Sequence, residues 1–398
     1  MAGRSAGRLR TRLASTLGRG GAAPPVSAGF PALAQLARSG PAPLSGARPD
    51  PSAPLRIATL IPSFREGSGG HATIVALLRG LRARGHSISL WLEDCEGRHA
   101  GEPASLTRRS FQEFFGGDGL ELHTDLADWR GADVVLATGW QTVAQALLLP
   151  DAAARAYVVQ DHEPDFYGAS AEALWAAQTY RQGLHCIAAS PWLAELLRSR
   201  YGATATHFDL AVDHAIYRPA EGERRDDLAV FYARAVTPRR AVPLGLLALG
   251  ELSRRRPDVE IALYGESRPL AVGFEHRNLG VLDARRLAEL YSRATVGMVL
   301  SLTNPSLIGL EMMACGLACV ELASESMLST FGEGGPLTLA EPDPPALCSA
   351  IEALLDDRER RDRVSQAGGE LVTERTWERA ARQVEAGLRT ATRTMSRG

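Results

Sequence analysis

Leu55-Arg-Ile-Ala-Thr-Leu-Ile61, then Pro62-Ser-Phe-Arg-Glu-Gly-Ser-Gly-Gly70, then the apolar series Ile74, Val75, Leu77, Leu78 and Leu81 decide the fold. The first run is apolar almost throughout and reads as a strand buried on both faces. The last has helical spacing, and Gly85 stops it. A buried strand, a glycine loop and a helix in that order open a parallel α/β sheet. The alternation continues with strands expected at 87–92, 133–137, 156–160 and 185–189. Residues 218–227 (RPAEGERRDD) are polar, carry Pro219 and Gly222, and read as a linker. A second alternation follows, with strands expected at 228–232, 259–264, 296–301 and 317–322. Its helices are expected near 242–255, 284–293, 305–315 and 344–356. The last segment, 377–389, is amphipathic, with Trp377, Ala381, Val384 and Leu388 on one face. The pattern predicts an α/β protein of two Rossmann-like, doubly wound domains facing a cleft, with ligands at the carboxyl ends of the strands. The expected division is a tail over 1–54, an acceptor-side domain over 55–218, a linker over 219–227 and a donor domain over 228–375. A helix over 376–398 is expected to return towards the first domain.

The 398 residues are 45% hydrophobic and 23% charged, with a formal net charge of −2. That is chain enough for two cores and too apolar for a disordered protein. No run approaches the roughly 18 uninterrupted apolar residues of a membrane-spanning helix. Cys95, Cys186, Cys315, Cys319 and Cys348 lack CxxC spacing, so neither a disulfide framework nor a zinc site is expected. Cys315 and Cys319, set among Met, Ala and Gly, read as buried thiols, and a reduced, cytoplasmic protein is the default. All 44 basic residues are Arg, which GC-rich coding explains. Seven Arg against Asp50 alone put residues 1–54 at +6, leaving the rest of the chain at −8. An acidic body disfavours nucleic acid as ligand. The Ala-, Gly-, Pro-, Ser- and Arg-rich stretch 1–54 is expected to be mostly disordered. It lacks the apolar core of a secretion signal. It reads as a solvated tail, with a loose contact to anionic lipid at the inner membrane face as the alternative.

Four constellations could carry chemistry. Gly69 and Gly70 let backbone N–H groups approach an anion at a helix start, although a plain strand-to-helix turn fits the same residues. The loop is not GxGxxG, which disfavours a nicotinamide oxidoreductase. Arg234 and Arg239 lie five apart around Pro238, and guanidinium forks at a strand end suit a diphosphate; in so Arg-rich a chain a solvated loop is the plain alternative. In Ser301-Leu-Thr-Asn-Pro-Ser-Leu307, Asn304 is a favourable N-cap and Pro305 a favourable first helical residue, making a second anion site. Glu311, in the apolar helix beyond, is either paired or functional, since burying a lone carboxylate is costly. Finally, Gln160-Asp-His-Glu163 ends a buried strand with titratable groups at the cleft, though His162 also fits a satisfied structural histidine.

In order and spacing these blocks resemble GT-B glycosyltransferases of the large retaining family that includes sucrose and mannosyl transferases. QDHEPDFY (160–167), SPWLAELL (190–197), FYARAVTPRR (231–240) and SLTNPSLIGLEMMACG (301–316) are more narrowly similar to the WsaF-type rhamnosyltransferases of bacterial surface-glycan assembly. Further matches are DLAVD (209–213) with YRP (217–219), and LGVLD (279–283) with LAELY (287–291). The resemblance covers roughly 55–390. It implies transfer of L-rhamnose from dTDP-β-L-rhamnose to a saccharide or lipid-linked glycan acceptor, without a metal. Gly69 and Gly70 would occupy the place of the family's glycine loop. Arg234 and Arg239 would hold the diphosphate, aided by the backbone from Asn304 through Ser306 and Leu307. Glu311 would bind the deoxyribose, Val281 and Leu282 would lie against thymine, and Asp161, His162 and Glu163 would face the reacting sugar or the acceptor. The family's first Glu of Glu-x7-Glu is Thr303 here. That departure disfavours a UDP-glucose-type donor and fits a 6-deoxyhexose. The alternatives are the same fold with a UDP- or GDP-sugar, or a non-catalytic nucleotide-sugar-binding subunit.

Overall fold

The described residues, 30–45, 49–116 and 119–394 of a computed structural model, open with a helix that composition does not announce, α1 (Pro31–Ser39). The expectation of disorder through residue 54 is therefore corrected. Phe30 stacks on Trp140 at 5.5 Å between ring centroids and meets Trp175 edge-on at 4.9 Å. The amides of Ala42 and Ser45 donate to the carbonyls of Leu147 and Ala152. The buried Arg155 donates to the carbonyls of Ala42, Ala146 and Leu149. So short a helix is marginal alone; contact with the first domain stabilises it. The Arg-rich stretch up to residue 29 lies outside the described residues.

The first domain follows as β1 (Arg56–Pro62), α2 (Gly69–Ala83), β2 (Ser87–Glu93), α3 (Ala104–Phe115), β3 (Glu121–His123), β4 (Ala132–Ala137), α4 (Trp140–Leu148), β5 (Ala152–Val159), α5 (Ala171–Thr179), β6 (His185–Ala188), α6 (Pro191–Tyr201) and β7 (Ala205–His207). Its strands form one parallel sheet in the order β3-β2-β1-β4-β5-β6-β7. The second domain comprises β8 (Leu228–Tyr232), α7 (Val242–Arg255), β9 (Glu260–Tyr264), β10 (Arg277–Asn278), α8 (Ala284–Arg293), β11 (Val296–Met298), α9 (Leu307–Ala314), β12 (Ala318–Leu322), α10 (Glu325–Phe331), β13 (Thr338–Ala340), α11 (Pro344–Asp356) and α12 (Arg358–Thr373). Its order, β10-β9-β8-β11-β12-β13, is again parallel throughout. Central strands such as β4, β5 and β8 are buried nearly end to end, as sheets covered on both faces require. All five cysteines are free and buried. No helix among the described residues is long and apolar enough to cross a membrane.

The last helix, α13 (Trp377–Thr394), crosses back and packs on α2 and β6 of the first domain. Ala380, Ala381, Val384 and Leu388 form its buried face. The crossing is tight: a Cβ placed on Gly80 would lie 2.5 Å from the Cβ of Ala381. A side chain at position 80 must therefore force the helices apart, against the gain in helix propensity that replacing glycine normally brings. Gly80→Val should lower the unfolding free energy by about 1–3 kcal/mol in urea titrations; unchanged or raised stability would refute this packing.

Candidate functional site at the domain cleft

In each sheet the chain reverses direction of growth beside its first strand, between β1 and β4 and between β8 and β11. Such switch points open a crevice at the carboxyl ends of the strands. The loop 63–68 follows β1, residues 160–167 follow β5, Ala233–Ala241 follow β8, and the loop 301–306 runs from the β11 end into α9.

Asn304 joins the two halves. Its Nδ2 donates to the carbonyls of Gln160 (3.0 Å) and Ala189 (3.2 Å), its Oδ1 accepts from Ser190 Oγ (2.6 Å), and its amide donates to Asp161 Oδ1 (3.0 Å). It is 1% exposed. The expected N-cap at Asn304 with Pro305 as first helical residue is therefore corrected. The side chain has better partners across the cleft, and α9 starts at Leu307 with Ser306 as its cap, Oγ accepting from the Ile308 amide at 3.2 Å. The first amides of α9 have no helical acceptor, so Ser306 and Leu307 remain at a helix N-terminus as expected.

Arg239 reaches over from the second domain, with Nε 3.1 Å from Asp161 Oδ2 and its guanidinium carbon 4.2 Å from the centre of the Phe166 ring. Arg234 is half-buried and, among the described residues, has no carboxylate within ion-pair distance. Arg240 donates to Ser301 Oγ at 2.6 Å. Gly69 and Gly70 begin α2. Gly70 lies against Gln160, whose Nε2 donates to the Gly70 carbonyl at 3.2 Å.

His162 and Glu163, expected to face the reacting sugar, are turned inward. His162 is 2% exposed and both ring nitrogens are taken, Nδ1 by Asp165 (2.7 Å) and Nε2 by the Tyr201 hydroxyl (2.6 Å). Glu163 is buried and accepts from the Trp140 amide at the start of α4 (2.7 Å), where a carboxylate meets the positive end of the helix. Burial nevertheless pushes its carboxyl up to about 7. Both residues are part of the floor of the site. Asp161 lies at the cleft, but its two oxygens already have protein partners: Oδ1 accepts from the amides of His162 and Asn304, and Oδ2 faces Arg239.

Glu311 sits one turn into α9. Its Oε2 is buried without a hydrogen-bond partner, and burial pushes the carboxyl up to about 7 against the opposing influence of the nearby Tyr217 hydroxyl. A lone acceptor oxygen of this kind suits a ligand hydroxyl. Val281 is exposed and Leu282 half-buried, ahead of Asp283, which caps α8. Thr303 is buried, and its carbonyl accepts from Ser326 Oγ (2.5 Å), so no carboxylate stands there.

Two carboxylates escape the sequence reading. Glu266 follows the end of β9, next to Gly265, whose amide donates to the Gly280 carbonyl (2.8 Å); Glu266 Oε2 is buried and unpartnered. Glu321 lies inside β12, 2% exposed, and its Oε1 accepts from the amides of Ser301 (2.8 Å) and Leu322 (2.9 Å). A single charged residue within Ala318-Cys-Val-Glu-Leu322 is the signal that could have exposed it. Burial outweighs these donors and pushes its carboxyl up to about 8. In the unfolded chain the same carboxyl ionises near 4.3, so the native state binds more protons between these values and stability falls as pH rises. Glu321→Gln should flatten part of the loss of stability between about pH 4.3 and 8. Melting temperatures across that range check this, and an unchanged pH slope would refute it.

Residues 227–352 match the family model described as "WsaF, C-terminal domain", and residues 123–190 match "WsaF, N-terminal domain". The chain is 35% identical over 277 residues to the O-antigen biosynthesis protein RfbC of Myxococcus xanthus. That alignment covers 68% of this chain and 22% of the relative, so the chain spans under a quarter of that protein's length. Among solved structures it is similar to sucrose-phosphate synthase from Thermosynechococcus elongatus (TM-score 0.64, 18% identity, 84% of this chain and 98% of the other). It is also similar to HepE of Anabaena in complex with UDP and glucose (TM-score 0.63, 14% identity, 84% and 100%). At these identities the structures speak to the fold alone. The chain thus carries both WsaF domain types, in sequence order, on a two-domain fold similar to those of these glycosyltransferase structures.

Proposed function

We propose that the chain transfers L-rhamnose from dTDP-β-L-rhamnose to a saccharide or lipid-linked glycan acceptor in bacterial surface-polysaccharide synthesis, with retention and without a metal. The observation that carries this reading is Arg234, without an ion-pair partner among the described residues, beside Arg239 at the switch point of the second sheet, next to the α9 N-terminus. Two guanidinium groups and helix amides form an anion site of the right charge for a diphosphate. As the bond from the sugar carbon to the β-phosphate oxygen breaks, the electron pair leaves with the phosphate. Arg234 and Arg239 stabilise that charge as it develops. Glu311, with a free buried oxygen, accepts from the deoxyribose hydroxyl. The exposed Val281, with Leu282, borders the base, and the unpartnered Glu266 oxygen there can accept an N–H from its edge. Gly70 and Gln160 mark the acceptor side. A nucleotide-sugar donor supports a cytoplasmic location, with loose contact of the Arg-rich N-terminal segment at the inner membrane face as the alternative to a solvated tail.

Thr303, buried where the broad family has a carboxylate, supports a 6-deoxyhexose over glucose. HepE, crystallised with UDP and glucose on the same fold, favours a UDP-sugar as the second reading. A thermal-shift panel of dTDP, UDP and GDP separates these, because the nucleotide that binds the folded state raises its melting temperature by mass action. The largest shift is expected with dTDP; a larger one with UDP or GDP would overturn the donor assignment. Arg234→Ala should weaken dTDP binding about 10-fold or more, the loss of one charge-assisted contact. Glu311→Ala should weaken thymidine binding as well; unchanged affinity in both variants would sink the site.

A further inference from the structure

Arg239 has a division of labour written into its contacts. Its Nε lies 3.1 Å from Asp161 Oδ2 as an ion pair without a hydrogen bond, and the Phe166 ring covers one face of its guanidinium at 4.2 Å. Its two terminal nitrogens have no hydrogen-bond or ion-pair partner among the described residues. Asp161 itself is 8% exposed and cannot swing away freely, since its other oxygen accepts from the amides of His162 (2.9 Å) and Asn304 (3.0 Å). Asp161 and Phe166 belong to the first domain, Arg239 and Asn304 to the second. A guanidinium paired with a carboxylate on its Nε side and stacked on one face keeps its terminal fork aimed away from both.

We infer that Asp161 is a positioning residue: from the opposite domain it aims the terminal fork of Arg239 at the donor's diphosphate. This rests on the donor-site reading above. It departs from the sequence expectation that Asp161 touches the reacting sugar, because neither of its oxygens is free to do so. The opposite arrangement, in which Asp161 competes with the diphosphate for Arg239, predicts the opposite sign when its charge is removed. The geometry favours positioning: the carboxylate sits on the Nε side of the guanidinium, and the terminal nitrogens that make bidentate phosphate contacts have no partner among the described residues.

Asp161→Asn keeps an oxygen for the two amides but turns an N–H donor toward the Arg239 Nε. Isothermal titration with nucleoside di- and monophosphates reads the result. The variant should bind dTDP about 10-fold more weakly, the scale of one charge-assisted contact. Affinity for dTMP should change by less than about 2-fold, because the effect acts on the outer phosphate. Phe166→Leu, which removes the stacking ring and touches no charge, should shift the same ratio in the same direction; it carries the test where Asp161→Asn fails to fold. In an Arg239→Lys background, where a single ammonium cannot face both groups as a fork does, Asp161→Asn should cost no more than about 2-fold. Tighter dTDP binding by Asp161→Asn would overturn positioning in favour of competition. Equal losses for dTDP and dTMP would reduce Asp161 to a scaffold residue. A wild-type chain that binds no nucleoside diphosphate would overturn the donor-site reading itself, before any variant is measured.

Discussion

A single carboxylate, that of Asp161, stands between the two domains, and most of the site's geometry depends on it. It accepts from a backbone amide of each domain and faces the guanidinium of Arg239. A charge so little exposed must be compensated on every side, or burying it would cost several kcal/mol. That need fixes three separate segments relative to one another: the loop after β5, the loop after β8 and the approach to α9. Removing any one partner leaves the others with a buried, uncompensated charge, so these segments keep their mutual position as a unit.

The other buried carboxylates show the same physics with less complete compensation. Glu163 has the amide end of α4, Glu321 two amides, and Glu311 only the influence of the nearby Tyr217 hydroxyl. Burial pushes all three upward, and Glu321 most. Glu163 and Glu321 lie under the loops that form the cleft, where strand ends and helix starts concentrate amide donors. Glu311 differs in having a buried oxygen with no partner at all. Like Oε2 of Glu266, that oxygen is left for a ligand donor rather than used as a support for the fold.

Much of this was legible in the sequence. Long apolar runs between helical patterns located the central strands, and 228–232 and 242–255 coincide with β8 and α7. The edge strands β3, β7, β10 and β13 were not legible, because two or three residues carry no period. Helix α1 was hidden by its composition, since the contacts that stabilise it come from α4 and α5, far away in sequence. At the site, residue types were legible and directions were not. QDHE announces a polar strand end, but whether His162 points into the cleft depends on Tyr201, thirty-nine residues further along. Asn304 looked like a helix cap because its local options favour one; the partners that win belong to the other domain.

The tripeptide Asn304-Pro305-Ser306 shows why the clasp and the helix start do not compete. Proline disfavours helical backbone in the residue before it, so Asn304 is kept out of α9 and remains free to present its amide and side chain to the first domain. Pro305 has no N–H, so no donor is orphaned where the two domains meet. Ser306 then takes over the cap that Asn304 gives up. Domain closure and the start of α9 are thus set by adjacent residues on one short stretch of backbone. Whatever anion lies at the α9 N-terminus also lies beside Asn304, and through it beside Asp161 and Arg239. A ligand there meets a site whose two walls are joined by the hydrogen bonds of Asn304 to Gln160, Asp161, Ala189 and Ser190.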